Sequence, residues 1–428
     1  MNNLLATHAW RTAMASLLCC FVGLAFGGQI DSANAALTLQ QAETLALEDN
    51  PAISRFAHQR KALQEEAVSA GQLPDPQLKI GVMSLPVDSF DFRQEPMTQA
   101  QFGIKQQFPP GKTRHIRKTR LQFAANAQGA IEQDQRLKTL LEVRLNYLDL
   151  FHQHRALEIL EQTESVFDQL AEITLDYYAS GQARQHDVYQ VDLEASRLQE
   201  RMIQVKRIEQ NARAELTAWI GGEADSEVTS HWPELTTNSA GAGGSVLEHH
   251  PQVTSLDAQT KAAEAAVGLA RQRYKPGYSI DLTWGQRSGH NPDGSSRDDF
   301  VSLMFNIDLP VFRANRQDRM VEAELASLDA IARQRDDLLR RLASAHAGEL
   351  ASIRYQREQL RLYEEHLLPE ARDNADAALQ AWQAALTDVT TLMRAQITEY
   401  EMKLSQLAAR IDELKTIARI RYLAGEDL

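Results

Sequence analysis

Tyr278-Ser-Ile-Asp-Leu-Thr-Trp-Gly285 and Val301-Ser-Leu-Met-Phe-Asn-Ile-Asp-Leu309 decide the fold. Tyr278, Ile280, Leu282 and Trp284 alternate with Ser279, Asp281, Thr283 and Gly285. Val301, Leu303, Phe305, Ile307 and Leu309 alternate with Ser302, Met304, Asn306 and Asp308. Successive side chains of a strand point to opposite faces, so each run offers one apolar and one polar face. Each run has about the 9–11 residues that a tilted strand needs to cross a bilayer. The segment between them, Arg287 to Asp299 with Asn291-Pro292-Asp293-Gly294 inside it, is polar and turn-rich. A hairpin of a soluble sandwich alternates in the same way, so the flanks must decide between the two readings.

Upstream, the same pattern occurs once more. Leu78, Ile80 and Val82 alternate with Lys79 and Gly81, and Ala100, Phe102 and Ile104 with Gln101, Gly103 and Lys105. Each pair of strands is followed by a proline turn, Phe108-Pro109 or Leu309-Pro310, and then by a very long helical pattern. The first, about 113–179, contains no proline and carries Leu137, Leu141, Leu145, Leu148 and Phe151 in steps of three or four. At a rise of about 1.5 Å per residue it would be about 100 Å long, too long for an ordinary globular core. The second covers about 315–384. Each is followed by a turn and a return helix, Asp187–Ile220 and Thr391–Leu423. Asn50-Pro51 and His250-Pro251 stand at corresponding helix starts, and Pro76 corresponds to Pro276. The chain is therefore a duplicated helix–strand–strand–long helix–helix unit of mixed α/β class. The first repeat spans 36–220, with strands about 77–83 and 99–108. A Gly/Ser/Thr-rich linker spans 221–246. The second repeat spans 247–428, with strands about 278–286 and 300–309.

The 428 residues carry a net charge of -13, which argues against nucleic acid as a partner. His8 and Arg11 precede an apolar run, Ala13 to Phe26, and Ala33-Asn34-Ala35 fits a cleavage site. Residues 1–35 thus read as a signal peptide. Both cysteines, Cys19 and Cys20, lie in that run, so the processed chain would have no thiol. Lipidation of either is the competing reading, but Leu17 and Leu18 stand where small residues are expected. Four strands cannot close a membrane barrel, and an open edge in lipid leaves backbone groups unsatisfied. Strands must therefore be pooled between copies, and the long helices must project as a second tube.

With these features the chain resembles the TolC family of outer-membrane efflux proteins, over nearly all of the processed sequence. The resemblance rests on Leu37-Thr-Leu-Gln-Gln-Ala42 with Asn50-Pro51, on Leu73-Pro-Asp-Pro76 and on Phe108-Pro-Pro-Gly-Lys112. It also rests on the turn Tyr178-Ala-Ser-Gly181 with Asp187-Val188. It implies a homotrimer with a twelve-stranded outer-membrane β-barrel continued by a long α-helical periplasmic barrel. It further implies docking onto a periplasmic adaptor and an inner-membrane pump of the resistance-nodulation-division type. The lipid-facing strand positions would be Leu78, Ile80, Val82, Phe102, Ile104, Ile280, Leu282, Trp284, Val301, Leu303, Phe305 and Ile307, against outer-membrane lipid. Pore-facing would be Lys79, Lys105, Asp281 and Asp308; with acidic loops at the strand ends they predict a passage favouring cations. The adaptor-docking turns would carry Tyr178, Gly181, Asp187, Trp382, Ala385 and Asp388. The second turn departs from the pattern: Trp382 and Ala385 take the places of the tyrosine and glycine, and the positions of an acidic pair found in the best-known member fall here at Thr391 and Arg394. The Leu85-Pro86 to Gln99 segment resembles members linked to heavy-metal efflux, so the cargo reads as heavy-metal cations or small toxic compounds.

Other chemistry finds little support. Gly111-Lys112-Thr113 sits in a phosphate-loop context, but Gln106 replaces the required glycine and Pro109 and Pro110 remove two donors. His152 and His154 are two apart on a helix and do not face each other. His249-His250 reads as a helix start. No convergent nucleophile, base or metal cluster suggests an enzyme, and no cofactor is expected. A periplasmic coiled-coil adaptor is the alternative; it would share the long helices but has no use for two pairs of alternating strands.

Overall fold

The computed structural model describes residues 36–237 and 246–426. The expected signal peptide and part of the linker lie outside them.

The first repeat opens with α1 (Leu39–Leu47) and α2 (Pro51–Ala70). Thr38 and Gln41 close a capping box at the start of α1. Asn50 Oδ1 accepts from Ala52 N at 2.9 Å, and Pro51 fills the first helical position, where its missing N–H costs nothing. Strands β1 (Gln77–Met83) and β2 (Gln99–Phe108) follow, then α3 (Thr113–Ala179) and α4 (Gln185–Ile220). The second repeat runs α5 (Pro251–Gln272), β3 (Gly277–Arg287), β4 (Phe300–Asp308), a long arm and α8 (Val389–Ala424).

That arm corrects one expectation. It is not a continuous helix over 315–384 but α6 (Gln317–Leu362), one wide π-turn (Tyr363–Leu367) and α7 (Leu368–Gln383). Pro369 is the cause. It has no N–H for the carbonyl of Glu365, and its ring would crowd that carbonyl in a regular helix. The wide turn moves the ladder so that Leu368 N–H bonds Tyr363 O.

His250 starts α5 as Asn50 starts α2: its Nδ1 accepts from Gln252 N at 3.2 Å. Burial pushes the pKa of this imidazole down, which keeps Nδ1 free to accept.

The four strands form one antiparallel sheet in the order β1-β2-β3-β4. The helices that feed the strands pack in the same order: α2 on α3, α3 on α5, α5 on α6. The helical layer thus continues the sheet strand by strand. Its main core joins α1, α3, α4, α6 and α8 around Tyr147 and Phe151. Tyr147 donates to Leu37 O at 2.9 Å, and Leu37 bridges Val228, which ties the segment after α4 to the chain start. A second core runs toward the tips, with Leu160, Phe167 and Leu170 against Val191 and Leu198, and Trp382 against Leu392 and Met393.

Candidate functional site: an inside-out sheet and two helical tips

The sheet is built inside out relative to a soluble domain. Its apolar rows run across all four strands: Leu78, Ile104, Leu282 and Leu303 in one, Ile80, Phe102, Trp284 and Val301 in the next. Every strand position named above as lipid-facing, Val82, Ile280, Phe305 and Ile307 included, is an exposed large hydrophobic. On the central strand β3 the two faces differ within one chain segment: Leu282 is 51% exposed, whereas Asp281 and Ser279 on the opposite face are 5% and 8% exposed. Such an exposed apolar area marks a membrane or protein contact. Aromatic pairs bracket it. Phe102 stacks on Trp284 at 5.9 Å between ring centroids, and Phe108 on Tyr278 at 4.9 Å near the helical end. Six residues separate the two levels, about 20 Å along a strand. Between those levels the row of Leu78, Ile104, Leu282 and Leu303 is wholly aliphatic, and an aliphatic band between aromatic girdles is the pattern of an outer-membrane strand.

The polar face has its own device. Lys79 pairs in register with Gly103, and Gly103 with Thr283. A Cβ on Gly103 would meet Thr283 Oγ1 at 2.7 Å. The missing side chain opens the way for Lys79 to cross β2 and form an ion pair with Asp281 on β3. Thr283 Oγ1 donates to the same carboxylate at 3.1 Å. Asp281 is therefore compensated within the sheet, which weakens the cation preference expected from it. Lys105 faces Asp281 from the register position beside it. Asp308 lies opposite Gly277 at the helical end.

At the other end the two loops are tied together. Arg287 donates to Pro96 O at 3.2 Å and Arg297 to Glu95 O at 3.0 Å, and the Arg287 guanidinium lies 3.8 Å above the Phe300 ring. The role of these arginines needs the loops' non-local pairing to be seen.

The tips lie at the far ends of α3 and α7. Both close with the bond pattern of a left-handed cap. Gln182 N donates to Tyr177 O at 2.7 Å, and Leu386 N to Ala381 O at 2.8 Å. Gly181 has φ +76° in the first, and Ala385 takes φ +58° in the second without being glycine. The return helices are capped by opposite halves of a capping box. Asp187, at the third helical position, accepts from Arg184 N at 2.9 Å; Asp388, at the cap itself, accepts from Thr391 N at 2.8 Å. These bonds, chiefly the Thr391 hydroxyl on Asp388, push the Asp388 pKa down. Tyr178 is exposed on the tip. Trp382 is not: at 8% exposure it packs 5.4 Å from Tyr177, so it builds the turn and offers no surface to a partner. Leu386, 81% exposed, is the apolar group that the second tip does present.

Among the described residues no helix is long and apolar enough to cross a membrane, and no group of three or more His, Cys, Asp or Glu is placed to hold a metal.

Residues 243–426 match the family model described as outer membrane efflux protein. No curated protein matches. Among solved structures, the fold matches a membrane protein from Pseudomonas aeruginosa with a TM-score of 0.77 at 14% identity, covering 90% of this chain and 92% of that one. It matches CusC, described for transmembrane channel formation, with a TM-score of 0.77 at 13% identity over 91% and 92%. It matches the outer membrane protein VceC of Vibrio cholerae with a TM-score of 0.74 at 16% identity over 90% and 96%.

Proposed function

We propose that this chain, which carries an outer membrane efflux protein domain over residues 243–426, is the outer-membrane exit duct of a tripartite efflux system. One observation carries the reading. The sheet turns its apolar face outward and, among the described residues, leaves both edge strands, β1 and β4, without a strand partner. In lipid an open edge costs several kcal/mol per unsatisfied group, so β1 of one copy must pair with β4 of the next. Three copies would pool twelve strands into a barrel, with the helical layers continuing it as a tunnel into the periplasm.

In that assembly Leu78, Ile80, Val82, Phe102, Ile104 and their row-mates on β3 and β4 face lipid. Lys79, Lys105, Asp281 and Asp308 face the passage. The tips around Tyr178, Gly181 and Leu386 dock a periplasmic adaptor, which couples the duct to an inner-membrane pump. The pump selects the cargo, heavy-metal cations or small toxic compounds. The adaptor alternative is not favoured, because a soluble coiled-coil protein would have to leave the apolar face of four strands in water.

The test is a cysteine scan across the edges. A cysteine at Ile80 on β1 is combined in turn with one at Val301, Leu303 or Phe305 on β4, all on the apolar face. An intermolecular disulfide that yields covalent trimers in the outer-membrane fraction is expected for one combination. A soluble periplasmic monomer, with no combination linking copies, overturns the duct.

A further inference from the structure

The base of the sheet, where all four strands meet helices, is ringed by cations. Segments 71–76, 109–120, 271–276 and 308–320 hold eleven lysines and arginines against three carboxylates, Asp75, Asp308 and Asp318, in a chain of net charge -13. All eleven cations are exposed. Among the described residues, Arg319 is the one of them with a carboxylate at ion-pair distance, Glu322 at 2.8 Å. The opposite end of the strands has the opposite sign. Its loops, 84–98 and 287–299, carry six carboxylates against Arg93, Arg287 and Arg297.

Helix chemistry explains only part of the ring. Arg271, Arg273 and Lys275 sit at the C-terminal end of α5, where the helix dipole favours cations. Lys112, Arg114, Arg117, Lys118 and Arg120 crowd the start of α3, where the dipole favours anions, and no acidic residue stands in that first turn. The next carboxylate along α3 is Glu132. Lys112 and Arg114 oppose the dipole in the first turn, Arg117, Lys118 and Arg120 follow within the next two turns with no carboxylate among them, and such a cluster favours an anionic partner.

Two further features say what kind. Leu309, Val311 and Phe312, exposed at 71%, 67% and 83%, continue the apolar face of β4 directly into the cationic ring. Beside them a cleft of ≈ 530 Å³ is lined by Arg273, Lys275, Arg316, Pro310, Leu309 and Asp308. Apolar groups next to long cationic side chains fit a membrane surface, with aliphatic stems in the acyl boundary and charged heads at the headgroups.

We propose that this ring is a collar for anionic phospholipids: it holds the headgroup phosphates of the leaflet on the helical side of the sheet. The proposal rests on the duct reading, which sets the strands across the membrane. It adds that the chain selects its annular lipid and fixes its depth by charge. Basic clusters immediately beside a membrane-crossing element attract anionic headgroups by roughly fivefold in affinity per charge, and salt screens them.

The full-length protein, purified from membranes, is reconstituted into phosphatidylcholine vesicles with and without phosphatidylglycerol. Insertion is read by protease protection of the strands, and retained lipid by native mass spectrometry after extraction. The wild type should keep phosphatidylglycerol over phosphatidylcholine at low salt and lose the preference as salt rises. A variant with Arg117→Gln, Lys118→Gln and Arg120→Gln should lose on the order of a hundredfold in that preference. A control with Arg354→Gln, Arg361→Gln and Arg372→Gln, exposed on the second arm away from the sheet, should keep it. A wild type without preference, a collar variant that retains it, or a control that loses it equally overturns the collar. Insertion without lipid preference leaves the duct standing, whereas failure to insert in either vesicle overturns both. The salt dependence of the wild type stands as a measurement even where the collar variant does not assemble.

Discussion

The first and second repeats follow one path and close it differently. α3 has 67 residues, and the second arm divides the same span into 46, 5 and 16. The return helices α4 and α8 have 36 each. Yet the first arm is unbroken and ends on a relaxed glycine, while the second is interrupted at Pro369 and ends on a left-handed alanine. Both arms thus span 67 residues before their tips. How stiff the arm is depends on one proline and one Cβ. These two differences predict a softer second hairpin, by composition and not by length.

The sheet is where the repeats must behave alike, and the largest effects are expected there. Ile80 on the first repeat's edge strand and Leu303 on the second's share the exposed apolar face. Arginine at either should cost about 2–4 kcal/mol near the bilayer midplane, and heat-resistant oligomers should disappear from membrane extracts. Asn306→Arg, on the opposite face, should assemble at near wild-type yield. Equal yields for Leu303→Arg and Asn306→Arg would break the face assignment.

Next in size is the first tip. A Cβ on Gly181 would have no atom within 4 Å, so a substitution there acts through the backbone alone. With φ at +76°, Gly181→Val should cost at least about 1–2 kcal/mol. Hydrogen exchange of residues 176–188 should accelerate while the oligomer still assembles. Unchanged exchange would mean that the turn does not need its left-handed residue.

Much of this was legible in the sequence, and the failures share a cause. Alternation along Val301–Leu309 and Gln77–Val82 gave the strands and their faces, since period two is a local signal. The duplication gave the order of elements. What alternation cannot give is a partner across strands. The Lys79–Asp281 pair over Gly103 and the loop clamp of Arg287 and Arg297 need a register that only folding supplies. Pro369 is visible in the sequence, but the apolar spacing continues on both sides of it and so predicts an uninterrupted helix. Trp382 was expected to dock a partner, since the alignment of turns marks its position and not its burial. The cationic ring was legible as four short segments, and their convergence was not.

The two helix starts allow a test with a sign. Asn50 caps α2 with an amide that does not titrate, whereas His250 caps α5 with an imidazole whose pKa burial lowers. A histidine with a lowered folded pKa contributes stability that is whole above its unfolded value of about 6.5 and is lost as pH falls below it. The unfolded chain binds the proton first, so acid favours unfolding. Melting temperatures at pH 7.5 and 5.5 should therefore fall further for the wild type than for His250→Asn, by the equivalent of about 1 kcal/mol. Identical pH dependence would mean that His250 does not carry the cap.

The smallest effect should come from making the second tip like the first. Ala385 holds φ +58°, a conformation that costs an alanine about 1–2 kcal/mol relative to the right-handed region. Ala385→Gly removes that strain but frees the unfolded chain, which returns about 0.4–1 kcal/mol. The net gain should be about 0.5 kcal/mol, confined to the second hairpin. Slower hydrogen exchange at 380–391, with no change at 176–188, is the expected reading. If the strained alanine serves to keep this tip easy to open, Ala385→Gly should also lower efflux in a strain with its adaptor and pump, and Pro369→Ala should lower it further by letting the wide turn close. Slower exchange with undiminished efflux would leave the alanine as tolerated strain and remove softness of the second hairpin from the working cycle.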